Sequence, residues 1–317
     1  MKTRGITEGA LFCALAVILT IISYYIPFLV ILIFFIPVPM VVLGKRQGLK
    51  VSIISSLAAT ILIFLFMDPI TALSFGALMF FVGCSLGFAY YKNISSVRKV
   101  IVGAVGFAIL LIAVVLGYQF IMGVNFTDYI FQTMETSTKE VMNIYETSNM
   151  MDASQLTTVK ESMDAGIQTM KLVLPSTFLL LPVLFSMVNI VVCDLILKRI
   201  GYSIQGFKPL SQWKIPTSLK YFLAIFIIGD FIISIFQITA IPEIYIYTFI
   251  VIINMIFLVM GISFIFDFME YKKVHNKGLK VLVVFVALLL QSFVTLLGVA
   301  DVYLGLRMIF RRETQKK

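Results

Sequence analysis

Residues 7–50, TEGALFCALAVILTIISYYIPFLVILIFFIPVPMVVLGKRQGLK, contain two apolar runs that are separated by Pro27 and closed by a basic cluster at Lys45, Arg46 and Lys50. Each run approaches the roughly 20 residues that a helix needs to cross a ~30 Å hydrocarbon core. The rest of the chain repeats this pattern of apolar run, short break and Lys/Arg group. The pattern predicts an all-α fold, a polytopic transmembrane helical bundle of about eight to nine spans.

The composition supports a membrane protein. Of the 317 residues, 60% are hydrophobic and only 13% are charged, against about 25% charged in soluble proteins. The net charge is +9, but the basic residues cluster between apolar runs, as the positive-inside rule requires. A nucleic-acid face would need a contiguous basic surface on a soluble domain, and the sequence offers none. We therefore expect the lipid bilayer, and no nucleic acid, as a partner.

The apolar runs predict membrane spans at about 8–25, 27–44, 50–67, 70–91, 100–122, 171–197, 219–240, 244–269 and from 279 to 298 or beyond. Most of the 25 Lys and Arg residues then lie on the same side as the N-terminus. The other side holds only Lys139, Lys160 and Lys171 in the segments up to residue 280. The N-terminus is therefore predicted to be cytoplasmic, in a bacterial plasma membrane.

The basic tail, from Arg307 to Lys317, does not fit this count, because nine spans would place it outside. One explanation is that residues 279–310 form a broken or re-entrant pair of short helices that returns the tail to the cytoplasm. Another is that late charges weigh less than early ones. Residues 299–310, with Asp301 and Arg307 among apolar residues, also suit an interfacial helix. Among these arrangements, we prefer the count of nine spans.

One sizeable polar segment, residues 123–170, interrupts the apolar pattern on the predicted outer side. Apolar residues recur there at helical spacing in two sets, which are Ile130, Met134, Val141 and Ile144, and Leu156, Val159, Met163, Ile167 and Met170. Asp152 or Ser154 is placed to cap the second helix. The segment is predicted to be an amphipathic helical hairpin, which acts either as a solvated cap or as a substrate lid.

Three domains follow from this pattern. Residues 1–200 form a six-span membrane domain that includes the hairpin, residues 201–220 form a cytoplasmic loop, and residues 221–317 form a C-terminal membrane domain of about three spans.

Signatures of metal sites and of catalysis are absent from the sequence. Cys13, Cys84 and Cys193 lie far apart inside apolar runs, and His275, the single histidine, lies in a polar stretch that reads as a solvated loop. The sequence has no P-loop, no H-E-x-x-H and no G-x-S-x-G. We expect neither an enzyme nor a bound metal or cofactor.

Polar residues inside apolar runs are the candidates for a ligand or ion site. An ionisable side chain at mid-span costs at least ~2.5 kcal/mol, which makes it a functional candidate by default. Asp230 lies near the middle of FLAIFIIGDFIISIF and fits either an ion or proton site or a structural interhelical contact. Asn189 and Gln119 are neutral candidates for the same site or for interhelical hydrogen bonds.

Other polar residues favour structural roles. Asp194 is followed by Lys198 at i+4, which is a favourable helix pair, and Asp301 with Arg307 suggests an ion pair. Trp213, the single tryptophan, lies between lysines in the cytoplasmic loop. It suits either the headgroup interface or the docking of a cytoplasmic partner.

The opening unit carries a resemblance to a known family. ALFCAL with Ala10 and Ala14, FFIPVPMVVLGKRQGLK, and the Asp68-Pro69 opening of the fourth span together resemble the YybS family of uncharacterised bacterial membrane proteins. Residues 5–200 also resemble, more distantly, the substrate-binding S components of energy-coupling-factor vitamin transporters. In S components an A-x-x-x-A pattern on the first helix docks onto the transmembrane coupling subunit, and Ala10 and Ala14 match it. This chain departs from S components in its additional C-terminal spans and in the lack of a recognisable vitamin pocket.

The resemblance implies a solute-binding or transport-related protein, with a coupling subunit and ATPases as partners and a small solute of unknown identity. The alternatives are a membrane scaffold or regulator that acts through residues 198–220 and the basic tail, and an ion-coupled carrier that uses Asp230. A membrane enzyme has the least support.

Overall fold

A computed structural model describes residues 3–148, 152–236, 241–274 and 276–309. Within these ranges the secondary structure is helical and contains no strand. The α-helices are α1 Thr3–Tyr25, α2 Val38–Gln47, α3 Leu49–Ile63, α4 Pro69–Leu78, α5 Ser85–Tyr91, α6 Ser96–Met122, α7 Phe126–Ser148, α8 Ala153–Arg199, α9 Thr217–Phe236, α10 Glu243–Tyr271, α11 Lys277–Leu289 and α12 Gln291–Leu304. His275 and the basic residues Arg311, Arg312, Lys316 and Lys317 lie outside the described residues.

Several helices are long and apolar enough to cross a membrane. In the described part of the chain seven helical stretches meet that condition, namely Thr3–Tyr25, Pro27–Gln47, Pro69–Tyr91, Ser96–Ile121, Ser154–Arg199, Thr217–Phe236 and Glu243–Tyr271. An eighth is reached if Gly278–Leu289 and Gln291–Leu304, bent by 103°, count as one span. The span predicted at 50–67 corresponds to α3, which has 15 residues and a length of about 22 Å. The helical membrane bundle is confirmed, whereas the count of eight to nine spans stays a prediction.

The chain divides into two compact units, Met1–Gln168 with Thr177–Gly206, and Thr169–Ser176 with Phe207–Lys317. We refer to them as unit 1 and unit 2.

The core of unit 1 is built around α2, in which Met40, Val41 and Leu43 have no exposed surface. A basic closing cluster follows this apolar run, as the sequence indicates. Gly44 of α2 lies against Gly87 of α5 so closely that a Cβ on Gly44 would stand 2.7 Å from the Gly87 Cα. The absence of side chains at both positions therefore allows the two backbones to meet.

Two irregular segments interrupt the spans of unit 1. Pro27–Phe35 is a 3-10 helix that leads into α2, and Met79–Cys84 is a π-helical segment between α4 and α5. Asp68 caps α4 by accepting a hydrogen bond from the Thr71 N–H at 3.0 Å. Hydrogen bonds from Thr71 hold the pKa of Asp68 below its ordinary value.

The polar segment of residues 123–170 is helical, but its second helix does not end where the hairpin was predicted to end. α8 continues for 47 residues, to Arg199, and joins the hairpin to the predicted sixth span without a break. Pro175 and Pro182 lie inside this helix, although each removes one backbone hydrogen bond. The predicted cap at Asp152 is confirmed by a capping box with Gln155.

The inward faces of the hairpin follow the predicted spacing with two exceptions. Most members of the two apolar sets are partly or fully buried, but Ile144 is 64% exposed and Met170 is 50% exposed. Met142, which the periodicity analysis passed over, is buried in their place.

Unit 2 contains α9 to α12. α11 runs antiparallel to α10, since Lys280 pairs with Glu270 at 3.2 Å and Ala287 packs with Leu258 and Ile262. The chain then bends sharply, and α12 crosses α10 where Gly261 and Gly298 permit close contact between the two backbones.

The end of α12 lies beside the loop that precedes α9. Arg307, just beyond α12, donates from Nη1 to the carbonyl of Ser211 at 2.7 Å. The described C-terminal end therefore lies near the same end of unit 2 as that loop. This geometry fits the broken or re-entrant pair that the sequence left open for residues 279–310.

Candidate functional site

A polar cleft lies between α7 and the first part of α8 in unit 1. Its volume is about 540 Å³, which falls within the usual range of ligand pockets, roughly 300–1,000 Å³. Met142 and Ile167 form its apolar floor and are almost fully buried. The walls carry charged and amide side chains, which are Glu135, Lys139, Asn143, Glu146, Lys160, Asp164 and Gln168, together with Thr138.

The helical spacing of the two helices brings these charges together. Glu135 and Lys139 lie one turn apart on α7, and Lys160 and Asp164 lie one turn apart on α8. Both helices therefore present an acid and a base to the same cleft, and Glu146 adds a further carboxylate. Such a lining can bind a small polar solute that carries both an ammonium and an anionic group, with the amides available as hydrogen-bond donors and acceptors.

The sequence analysis recognised the hairpin but named none of these residues as a site. The signal in the sequence that could have identified them is that the charged residues lie one or two helical turns from Met142 and Ile167.

A second polar cluster lies in the core of unit 1 and joins α5, α6 and α8. Asp194 accepts a hydrogen bond from the Tyr90 hydroxyl at 2.6 Å and pairs with the Lys99 ammonium at 3.7 Å. The Lys99 Nζ also lies 4.1 Å from the centroid of the Tyr90 ring. Lys45 extends the cluster by donating to the Tyr90 carbonyl at 3.1 Å. The sequence analysis considered only the helix-local pairing of Asp194 with Lys198.

The three predicted ligand or ion residues have different environments. Asn189 is fully buried, and its Nδ2 donates to the Phe185 carbonyl at 3.0 Å. Its Oδ1 has no hydrogen-bond partner among the residues that the structure describes. Gln119 is exposed near the end of α6. Neither residue lines the polar cleft, so the structure does not join them in one site.

Asp230 lies in α9 of unit 2 and is half-buried. Within the described ranges its carboxylate forms no ion pair. A Cβ on the adjacent Gly229 would have no heavy atom within 4 Å, so no helix in the described part of the chain approaches there. The role of Asp230 stays a prediction.

The predicted docking alanines lie on the outward face of α1. Ala10 and Ala14 are exposed, whereas the buried face of α1 is formed by Gly5, Gly9 and Cys13 with the residues that follow them at helical spacing. Ala10 and Ala14 therefore do not belong to the packed face of α1 within unit 1.

The Trp213 side chain contacts other residues of its own loop. Its indole Nε1 donates to the Lys208 carbonyl at 3.0 Å, and its ring lies 6.1 Å from that of Phe207. Its backbone carbonyl accepts hydrogen bonds from Ser263 and Arg307, each at 3.3 Å. These contacts make Trp213 part of the structure of the loop.

Arg307 fixes this loop to the rest of unit 2. Its Nε donates to Asp301 at 2.8 Å, which confirms the ion pair that the sequence suggests. Its Nη2 donates to the Ser263 hydroxyl at 2.8 Å, and Ser263 in turn donates to the Leu210 carbonyl at 2.6 Å. The Arg307 and Asp301 side chains are only 10% and 9% exposed.

Comparison with known proteins supports a membrane-protein assignment over nearly the whole chain. A family model described as a predicted membrane protein (DUF2232) matches residues 14–302. The chain is also similar to the uncharacterized protein YybS of Bacillus subtilis (strain 168), with 25% identity over 321 residues that cover 96% of this chain and 98% of YybS. No solved structure matches. The resemblance to the YybS family is thereby confirmed, while the likeness to S components stays a prediction.

Proposed function

The chain belongs to the DUF2232 family of predicted membrane proteins, and from that premise we propose that it is a solute-binding, transport-related membrane protein whose recognition site is the polar cleft between α7 and α8. The observation that carries the proposal is the cleft itself, a cavity of about 540 Å³ with acids and bases on both walls and an apolar floor. A cavity of this size is large enough for a small molecule, and its polar groups would fix the orientation of a bound solute. The solute that suits it is small and zwitterionic.

The exposed Ala10 and Ala14 support a second part of the proposal. Two small residues one turn apart on an outward helix face allow a partner helix to approach closely. We propose that this face docks a transmembrane coupling subunit that works with ATPases, as the S-component likeness implies.

The cleft is tested by thermal unfolding of the purified full chain in detergent, with L-amino acids and glycine betaine as probes and citrate for comparison. Saturation of the site at 100 times the dissociation constant stabilises the folded state by about 2.7 kcal/mol. We expect at least one zwitterionic probe to raise the melting temperature, and Glu146→Gln with Asp164→Asn to remove the effect. Glu161→Gln, an exposed acid of α8 outside the cleft lining, should not.

Stabilisation by none of the zwitterions, or by citrate alone, would contradict this assignment of the cleft. The same result in wild type and in the double variant would show that the probes act elsewhere on the protein.

The docking face is tested separately, by purifying the chain from cells and identifying the proteins that accompany it. Ala10→Leu with Ala14→Leu should release a coupling subunit and its ATPases, whereas Ala58→Leu, an exposed alanine of α3, should retain them. If the double variant keeps the same partners as wild type, the docking proposal fails and the cleft proposal is unaffected.

A scaffold or regulator is the second candidate, because the loop before α9 is hydrogen-bonded to Arg307 and Ser263. Lys208 is exposed on this loop. If the protein works as a scaffold, Lys208→Glu should change the set of copurifying proteins while the cleft variants leave it unchanged. The opposite pattern would reject this candidate.

A further inference from the structure

A second cavity, of about 320 Å³, lies in unit 2 between the loop before α9, the first turn of α9 and the end of α12. Lys214 and Lys220 line one side of it, and Met260, Leu304 and Met308 contribute apolar surface. The cavity is thus amphipathic, with basic groups and apolar side chains in the same lining.

The charge of the two lysines is not neutralised within the described part of the chain. Neither forms an ion pair with a described residue. Lys220 is held in place, because its Nζ lies 5.3 Å from the centroid of the Tyr303 ring and the Tyr303 hydroxyl donates to its carbonyl at 3.0 Å. Asp301, the one carboxylate among the described residues of the lining, is bound to Arg307, so this pair is neutral and the described lining keeps a net positive charge.

The start of α9 adds to the positive potential. Thr217, the first residue of α9, belongs to the lining. The first N–H groups of a helix lack intrahelical acceptors and form the positive end of the helix dipole, which attracts anions.

The geometry points to a binding site for a phosphate-bearing anion, with the phosphate against Lys214 and Lys220 and an attached apolar group against Met260, Leu304 and Met308. Lysine binds phosphate as a point charge. Basic pockets between helices on the cytoplasmic side of membrane proteins bind anionic lipid headgroups. The phosphate has two possible sources, the headgroup of an anionic phospholipid and a soluble phosphate ester.

The test uses the full-length protein, delipidated in detergent. Native mass spectrometry follows titration with phosphatidylglycerol, and phosphatidylcholine with the same acyl chains serves as the zwitterionic comparison, whose headgroup has no net charge. Thermal unfolding follows titration with inorganic phosphate and glycerol 3-phosphate. We expect Lys214→Gln with Lys220→Gln to weaken phosphatidylglycerol binding roughly 25-fold, since each lysine near an anionic headgroup contributes roughly fivefold.

The matched control is Lys92→Gln with Lys208→Gln, which removes the same charge from two exposed positions outside the cavity. It should change the affinity less than about threefold. Lys214→Gln alone keeps the test valid if the change at Lys220 disturbs folding, because Lys214 is exposed; it should weaken binding about fivefold.

Dependence of phosphatidylglycerol binding on the two lysines supports a lipid headgroup as the occupant. The same dependence for glycerol 3-phosphate or inorganic phosphate, without one for the lipid, supports a soluble phosphate ester in the same cavity. Equal weakening by the cavity variant and its control, or no dependence on the lysines for any probe, overturns the proposal.

Discussion

Removal of the Asp194 carboxylate should leave the ammonium of Lys99 buried without a counter-charge. The Lys99 and Asp194 side chains are 3% and 9% exposed and lie 3.7 Å apart. Removing one partner from a buried ion pair costs about 3–5 kcal/mol, because the remaining charge is neither solvated nor paired. We therefore expect Asp194→Ala to destabilise the protein by that amount.

The individual contributions can be separated with two further variants. Tyr90→Phe removes a hydrogen bond to a charged acceptor and should cost about 1.5–3 kcal/mol. Lys99→Met combined with Asp194→Leu removes both charges and keeps apolar volume, which is often neutral or stabilising. The double variant should therefore be more stable than Asp194→Ala, although it changes more of the core.

The assay is thermal unfolding of the purified protein in detergent. Each kcal/mol corresponds to roughly 2–4 °C in domains of about 150–250 residues, so Asp194→Ala should lower the melting temperature by about 6–20 °C. Glu161→Ala, at an exposed acid of the same helix, is the control and should leave it nearly unchanged. Equal shifts for Asp194→Ala and Glu161→Ala, or a double variant as unstable as Asp194→Ala, would refute the buried pair.

Four other substitutions can be measured in the same assay. Gly298→Ala should cost about 1–3 kcal/mol of folding stability, because the added Cβ would collide with a backbone carbonyl of α10. Gly229→Ala has open space around it and should be neutral or stabilising by up to about 1 kcal/mol. Equal losses of stability at the two glycines would contradict the close crossing of α10 and α12. Glu8→Ala should cost about 1–3 kcal/mol by breaking its two hydrogen bonds to Arg46, and no measurable change would show that solvent replaces this partly buried pair. Asp230→Leu should not destabilise α9, since no described residue pairs with the carboxylate; a loss above about 2 kcal/mol would reveal a structural partner.

Local features of this fold were predictable from the sequence because they depend on neighbouring residues. Apolar runs indicated the helical spans, Asp152 indicated the start of α8, and Asp301 with Arg307, six residues further along the chain, indicated an ion pair. The apolar faces of the hairpin were also largely correct, since helical periodicity decides which side chains lie on one face.

Features that depend on distant residues were not predictable. Lys99, Asp194 and Tyr90 come together from three helices, and no spacing rule relates them. The length of α8 was missed because a polar surface helix and an apolar span have different compositions, although backbone hydrogen bonding can continue from one to the other. Pro175 and Pro182 within α8 are, in addition, residues that disfavour a continuous helix.

The polar cleft was also not predictable from the sequence. The charges of the hairpin were visible in the sequence, and a solvated surface explained them equally well. Only the facing of α7 and α8 over Met142 and Ile167 distinguishes a lined cavity from a surface.

The length of α8 gives a direct way to read the orientation of the protein in its membrane. At 1.5 Å per residue its 47 residues contain about 70 Å of helix, more than twice the thickness of the ~30 Å hydrocarbon core. The three native cysteines are all buried, so a cysteine introduced at exposed Ser154 or Lys198 would be the accessible thiol. A membrane-impermeant maleimide applied to intact cells should label one end of this continuous helix and spare the other.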